Sequence, residues 1–583
     1  MKLQFDASQQ FQIDAVNSVV DIFHGQPLHQ GDFEIRFESS YEGVLSGQEQ
    51  TELGMGNRLL INDETLLANV NTIQDHHDID RTPILQGYHF SVEMETGTGK
   101  TYVYLRTIFE LSRKYGFKKF VIVVPSVAIR EGVLKNLEIT QDHFKAVFNN
   151  VEYEYFVYDS QKINRLRQFA VSNSIQIMVI NIDAFRKNFA GTEEEQKSNV
   201  IFKENDKLSG RQPIEFVTAT NPIVIIDEPQ SVDNTPKSQE AIKSLNHLCT
   251  LRYSATHRNL YNHVYKLDPI RAYEMRLVKQ IVVAEAKGAN TFNAAYAKLV
   301  DVDNTKGIVA KIVIHENKPG GVREKTVRVK QGADLFILSN EREVYREGYV
   351  VSEISAEPGN EFVGFSNGRV LRRGEEQGGI REDLMKVQIK NTIRKHLEKE
   401  LQIRDKGIKV LSLFFIDRVA NYRAYDEGGK PAKGKFAQWF EDYYNELIAQ
   451  PRFQGLLSYP VEKLHDGYFS QDKKGVLKDT RGNSEADEDT YTKIMRNKEQ
   501  LLSLDEPLRF IFSHSALREG WDNPNVFQIC TLNETASVLK KRQEIGRGLR
   551  LCVNQHGDRL RGFEINTLTV IATESYEEFA ENL

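Results

Sequence analysis

A chain of 583 residues exceeds what one hydrophobic core serves, and at roughly 150 residues per domain it predicts three to four of them. Its 40% hydrophobic and 27% charged residues exclude a disordered or fibrous chain, and a net charge of −6 excludes a diffusely basic nucleic-acid binder, leaving only a local groove for such a contact. Three cysteines without a CxxC pair, no signal-like apolar core in residues 1–10 and no run near the about 20 apolar residues of a membrane span predict a cytoplasmic chain without structural zinc.

Residues 5–24 predict a turn and a helix, with Ile13, Val16, Val20 and Phe23 on one face. From Gly25 to about Arg81 the composition turns polar and glycine-rich, which predicts a poorly regular insertion. His76-His77-Asp78 lies there without partners at metal-ligand spacing and reads as a solvated loop. Residues 88–92 then predict a short strand and residues 102–113 a helix. Between them, Glu93-Met94-Glu95-Thr96-Gly97-Thr98-Gly99-Lys100-Thr101 has the makings of a phosphate cradle. Gly97 and Gly99 let the backbone N–H groups and the helix N-terminus converge on an anion, with Thr96 and Thr98 in the same loop. Lys100 then reaches the β- and γ-phosphates of ATP, and the Thr101 hydroxyl supplies a ligand to Mg²⁺. The pattern departs from the full phosphate-loop signature at one place, where Met94 stands at the first glycine position.

Buried-type strands at 120–124, 176–180 and 222–226 alternate with helices, the pattern of a parallel α/β sheet. The last of them delivers Asp227-Glu228-Pro229-Gln230 to its C-terminal end, where ligands bind in such sheets. Asp227 is placed to hold Mg²⁺, and Glu228 to orient and deprotonate an attacking water. Ser254 and Thr256, at the end of the next strand, can relay nucleotide state to a second domain.

From about 280 to 379 short alternating segments at 308–314, 325–329, 334–337 and 348–351 predict a β-rich insertion. Within it Asp303, Glu316 and Lys318 imitate the carboxylate-and-lysine set of a metal-dependent nuclease, but a solvated hairpin explains them better. Residues 380–406 predict a charged helix, 409–416 a buried strand opening a second α/β domain, and 424–505 a polar insertion with a helix near 436–449 and a flexible stretch at 471–489. Strands at 509–513, 526–532 and 566–572 follow. A helix containing Gln543-Glu544-Ile545-Gly546-Arg547-Gly548-Leu549-Arg550 places Arg547 and Arg550 three apart on one face, able to reach a γ-phosphate held by the first domain.

In this order the pieces resemble the motor of superfamily-two helicases, and Phe11-Gln12-x-x-Ala15-Val16 resembles the upstream motif that reads adenine through a glutamine, here Gln12. Residues 515–522 are similar to the fifth motif of that superfamily, which implies Gly520 and Asp522 at the nucleotide. Within the superfamily, Met-Glu-Thr-Gly-Thr-Gly-Lys-Thr, the Asp-Glu-Pro-Gln box and Arg-Glu-Gly-Trp-Asp-Asn-Pro look like the Res subunit of type III restriction enzymes. The resemblance implies two RecA-like α/β parallel-sheet motor domains, residues 1–278 and 380–583, with the β-rich insertion 279–379 between them. It implies ATP and Mg²⁺ as cofactors, and double-stranded DNA and a Mod methyltransferase as partners. Only 33 residues follow Arg550, so the nuclease of the family is expected to be missing. Rival readings are a strand-separating helicase or type I restriction motor, and a DNA-binding module that holds nucleotide without hydrolysing it.

Overall fold

The computed structural model describes residues 4–28, 48–51, 53–186, 200–233, 235–285, 295–305, 307–318, 321–357, 359–377, 380–425, 431–471, 477–478, 500–514, 523–532 and 544–572. The first sheet has seven strands in the order Tyr153–Val157, Ile175–Asn181, Lys119–Val124, Ile223–Asp227, Cys249–Ser254, His89–Met94 and Tyr265–Leu267, with every neighbouring pair parallel. Lys119–Val124, Ile223–Asp227 and Cys249–Ser254 are buried at every position, as strands covered by helices on both faces must be. Parallel pairing puts all C-terminal ends on one edge of the sheet. The loop after Met94, the acids at 227–228 and the hydroxyls at 254–256 leave from that edge, because Cys249–Ser254 pairs with both of the other strands.

A second parallel sheet runs in the order Gln280–Glu285, Thr567–Ala572, Val526–Thr531, Leu411–Phe415, Phe510–Ser513 and His465–Tyr468. Two parallel sheets with helices on them are the α/β architecture that the alternating sequence pattern predicts. The β-rich segment forms an antiparallel four-stranded sheet around Val309–Lys318 and a three-stranded sheet around Phe362–Phe365. These close on their own core of Leu299, Ile312, Ile314, Tyr345, Val363 and Phe365. The two parallel sheets are not separate bodies, because one apolar cluster passes from Val103 and Leu251 through Leu277 and Val278 to Leu413, Ile529, Ile545 and Leu549. Among the described residues no helix is long and apolar enough to cross a membrane.

Several segments differ from the sequence reading. Within the polar stretch 25–81, Asp63–His76 is a 14-residue helix whose N-terminus is capped by the Asn62 side chain. Its sparse apolar positions Leu66, Val70 and Ile73 nevertheless recur at helical spacing and are buried. His77 is not a solvated loop residue, since its Nε2 lies 2.7 Å from Ser18 Oγ. Residues 334–337 are no strand: Leu335–Leu338 is a short helix capped by the Asp334 carboxylate, which accepts from the Phe336 N–H. Gln280–Glu285 belongs to the second parallel sheet and not to the β-rich segment, because it pairs with Thr567–Ala572 from the far end of the chain. His465–Tyr468, inside the polar stretch 424–505, is the other edge strand of that sheet, and Lys435–Ile448 packs Phe436, Phe440 and Tyr444 into its core. Asp303 and Glu316 sit at opposite ends of a strand pair, Asp303 facing Val309 while Glu316 lies beyond the Ala297–Ile314 pairing. Glu316 is spent on Lys318 and Lys325, each at 2.9 Å.

Candidate nucleotide site

Met94, which stands at the expected first glycine, is the last residue of its strand and fully buried, so the turn begins only at Glu95. The Glu95 carboxylate accepts from the Thr96 N–H at 2.6 Å, and the Glu95 carbonyl accepts from the Thr98 hydroxyl at 2.6 Å, closing the loop on itself. Gly97 and Gly99 have φ of 87° and 98°, a region that side chains rarely enter. A Cβ at Gly99 would stand 2.6 Å from Gln12 Nε2, so a side chain there would have to displace that amide. Gly99 is the N-cap of Lys100–Tyr115, whose free N–H groups open toward the loop and favour an anion. Gln12 is buried and donates from Nε2 to the Thr98 carbonyl at 3.0 Å. The structure thus ties Gln12 to the phosphate loop itself.

Lys100 Nζ stands 3.5 Å from Glu228 Oε1 and 3.3 Å from the Met94 carbonyl. Glu228 also accepts from Ser254 Oγ at 2.8 Å and from Gln230 Nε2 at 2.5 Å. Gln230 continues to Thr256 Oγ1 at 3.2 Å, and the Thr256 N–H returns to Ser254 Oγ at 3.0 Å. The four side chains form one ring of bonds between two strand ends. Glu228 holds it with a left-handed backbone, φ 54° and ψ 62°, a conformation that costs a non-glycine residue roughly 1–3 kcal/mol and collects at functional sites. Pro229 then starts the short helix Pro229–Val232.

Asp227 and Glu228 share one ammonium, so they do not ionise alike. Burial, and then the Glu228 charge beside it, push the Asp227 carboxyl up to about 7. Burial raises Glu228 as well, but Lys100 and the bonds from Gln230 and Ser254 outweigh it and hold that carboxyl below its usual range. The Tyr104 hydroxyl, fully buried, donates to Asp227 Oδ2 at 3.2 Å and also touches Thr101. Thr101 and Asp227 are therefore hard oxygen donors brought to one place by Tyr104, and they fit a divalent cation such as Mg²⁺. Sequence reasoning passed over Tyr104, although its position three residues after Thr101 puts both on one helix face.

The arginine segment comes from the second sheet. Residues 544–546 are helical, but the chain turns at Arg547 and Gly548, and Arg550 makes an isolated bridge to Val278. Arg547 and Arg550 therefore do not share a helix face as the spacing predicts, because the helix has already ended at Gly546. They remain beside the phosphate loop. A Cβ at Gly97 would lie 3.2 Å from both the Arg550 N and Cγ, and one at Gly546 would lie 2.9 Å from Thr96 Cγ2. Arg547 is buried and Arg550 half-buried. Gly520 and Asp522 lie outside the described residues, as do Gln543 and most of the stretch 471–489.

A second concavity, of about 820 Å³, opens at the C-terminal ends of Lys119–Val124, Tyr153–Val157 and Ile175–Asn181. Its lining mixes Arg130, Lys162 and Arg165 with Glu131, Asp159 and Asp183.

A glycine loop on a helix N-terminus, an acidic pair on the neighbouring strand edge and an arginine segment supplied by a second parallel sheet define a two-sheet P-loop protein. Residues 36–259 match the family described as type III restriction enzyme, res subunit. The chain is 31% identical over 558 residues to the EcoPI Res subunit of Escherichia phage P1, covering 89% of this chain and 54% of that protein. It is 31% identical over 497 residues to the EcoP15I Res subunit of Escherichia coli, covering 81% and 48% respectively. The chain is thus similar to the type III Res subunits, the family that its motifs resemble, and it spans about half the length of these curated relatives. Among solved structures, a DNA-bound type ISP restriction-modification enzyme, LlaBIII, is 13% identical with a TM-score of 0.38, covering 90% of this chain and 28% of that one.

Proposed function

We propose that this chain is a cytoplasmic ATP-hydrolysing motor that acts along double-stranded DNA as the Res component of a type III restriction-modification system, together with a Mod methyltransferase. The observation that carries this reading is the meeting of three separate elements at one point: Lys100 on Glu228, Glu228 on Ser254, and Arg550 on Gly97. Bound ATP would lie with its phosphates on the N–H groups of Gly97, Gly99 and Lys100, and Mg²⁺, held by Thr101 and Asp227, would supply charge neutralisation at the transferring phosphoryl group. Glu228 orients the attacking water and takes its proton. Arg547 and Arg550 meet the charge that develops on the γ-phosphate. Ser254, Gln230 and Thr256 transmit the state of Glu228 along the strand edge, and the concavity around Arg130 and Arg165 offers a DNA backbone a place on the same edge.

The test is phosphate release by the purified chain with MgATP, with and without double-stranded DNA carrying sites for its Mod partner. DNA-stimulated release that disappears in Lys100→Ala supports the motor. No release under any of these conditions, with nucleotide still bound, would instead favour a clamp that holds DNA without turnover. Separation of a tailed duplex would favour a helicase.

A further inference from the structure

Lys279 lies where the chain leaves the first sheet and enters the second, immediately before Gln280–Glu285. It is 1% exposed, and although burial pulls its ammonium down to about 7, three backbone oxygens favour the charged form. Its Nζ donates to the carbonyls of Pro524 at 2.6 Å and Gly548 at 3.0 Å, and to that of Arg550. Three N–H donors meet three carbonyls, so the group is saturated by backbone oxygens. Its own backbone N–H donates to the Leu549 carbonyl at 2.8 Å, and its neighbour Val278 bridges to Arg550. The ring of Phe527 lies 4.9 Å from Nζ on another side.

These contacts converge on residues 548–550, a turn with no regular ladder of its own. Without Lys279 the carbonyls of Gly548 and Arg550 would be buried beside the second sheet with this donor gone, a cost that the turn can relieve by moving outward. Movement there shifts the Arg550 backbone away from Gly97, which it contacts across the cleft. We propose that Lys279 is a positioning residue: its ammonium fixes the turn that carries Arg547 and Arg550 against the phosphate loop. The proposal rests on the reading that these arginines serve ATP hydrolysis.

The experiment is a double-mutant cycle on the full chain, with kcat for ATP and the binding constant of a fluorescent ATP analogue as readouts, at a temperature where melting curves show each variant folded. Lys279→Met is expected to lower kcat ~10-fold or more while analogue affinity stays within about threefold. The same substitution in an Arg550→Ala background is expected to lower kcat by a smaller factor than in the wild type, because one of the two groups it positions is already gone. Lys279→Gln keeps two N–H donors and should retain more kcat than the methionine variant; it also carries the comparison if the methionine variant does not fold. Unchanged kcat in a folded Lys279 variant, or an equal fold-loss in both backgrounds, would overturn the positioning role. A wild-type chain that hydrolyses no ATP would overturn the functional reading first.

Discussion

Ser254 Oγ stands 2.8 Å from Glu228 Oε2, so the end of one strand is hydrogen-bonded to the acid that leaves its neighbour. With Lys100 on its other oxygen, Glu228 is held from both sides, and its removal tests the centre of the site directly. Glu228→Gln should bind ATP within about threefold of wild type but turn it over at least about 100-fold more slowly, since Asp227 and the loop survive. Lys100→Ala should lose turnover by at least as much. Steady-state phosphate release with analogue titration checks both, and wild-type turnover in the glutamine variant would remove Glu228 from its role.

Ser254→Ala removes one bond to an ionised group, which is worth roughly tenfold in rate if that bond orients the carboxylate during turnover. In a Glu228→Gln background the same change should have little further effect. Independent losses in the two backgrounds would mean that the serine acts elsewhere.

Arg547→Ala and Arg550→Ala should each lower kcat at least about 100-fold while ATP affinity changes little, as expected of groups that meet charge only in the transition state. The melting temperature separates this from a packing role: Arg547 is buried, and a variant that simply unfolds would point to support of the core instead.

Glu316→Ala should leave ATP turnover unchanged, because its carboxylate is occupied by Lys318 and Lys325 and is remote in register from Asp303. Mg²⁺-dependent DNA cleavage that vanishes in this variant would restore the β-rich segment as a nuclease.

Acid should destabilise the first sheet through its histidines. Burial, followed by the charge of Arg252, pulls His89 down to about 4, and burial likewise pulls His247 and His263 down to about 4. Each folded-state value lies below the ordinary 6.5, so the unfolded chain takes up protons first as pH falls. Stability is then full above about 6.5 and lost between there and about 4, by roughly 1.4 kcal/mol per pH unit for each histidine. Melting at pH 7, 6 and 5 should show His89→Gln falling less steeply than wild type. Parallel curves would show that His89 does not titrate as described.

The central strands of the first sheet were legible because Lys119–Val124, Ile175–Asn181 and Ile223–Asp227 are runs of β-branched and apolar residues, the edge strands Tyr153–Val157 and Tyr265–Leu267 being missed, and the phosphate loop because its chemistry is local. Arg547 and Arg550 could be found by their spacing, but their backbone could not: whether the helix continues past Gly546 depends on what the turn packs against, here Val278, Lys279 and Gly97. Lys279 itself carries no sequence signal, being one lysine before one strand. The helix Asp63–His76 was hidden because only three of its apolar positions are buried and most of its other residues are polar. The outer strands of the second sheet were missed for a related reason, since short edge segments declare neither their sheet nor their partner.

The pairing of Gln280–Glu285 with Thr567–Ala572 has a consequence for biosynthesis. A ribosome makes the edge strand well before its neighbour, with the β-rich unit and the strands Leu411–Phe415, His465–Tyr468, Phe510–Ser513 and Val526–Thr531 emerging between them. The β-rich unit closes on nearby segments and can fold while synthesis continues, whereas the edge strand waits with an unpaired backbone until those strands have been made. Pairing with Thr567–Ala572 is therefore a non-local step, and until it happens the waiting strand offers an unpaired edge to other chains.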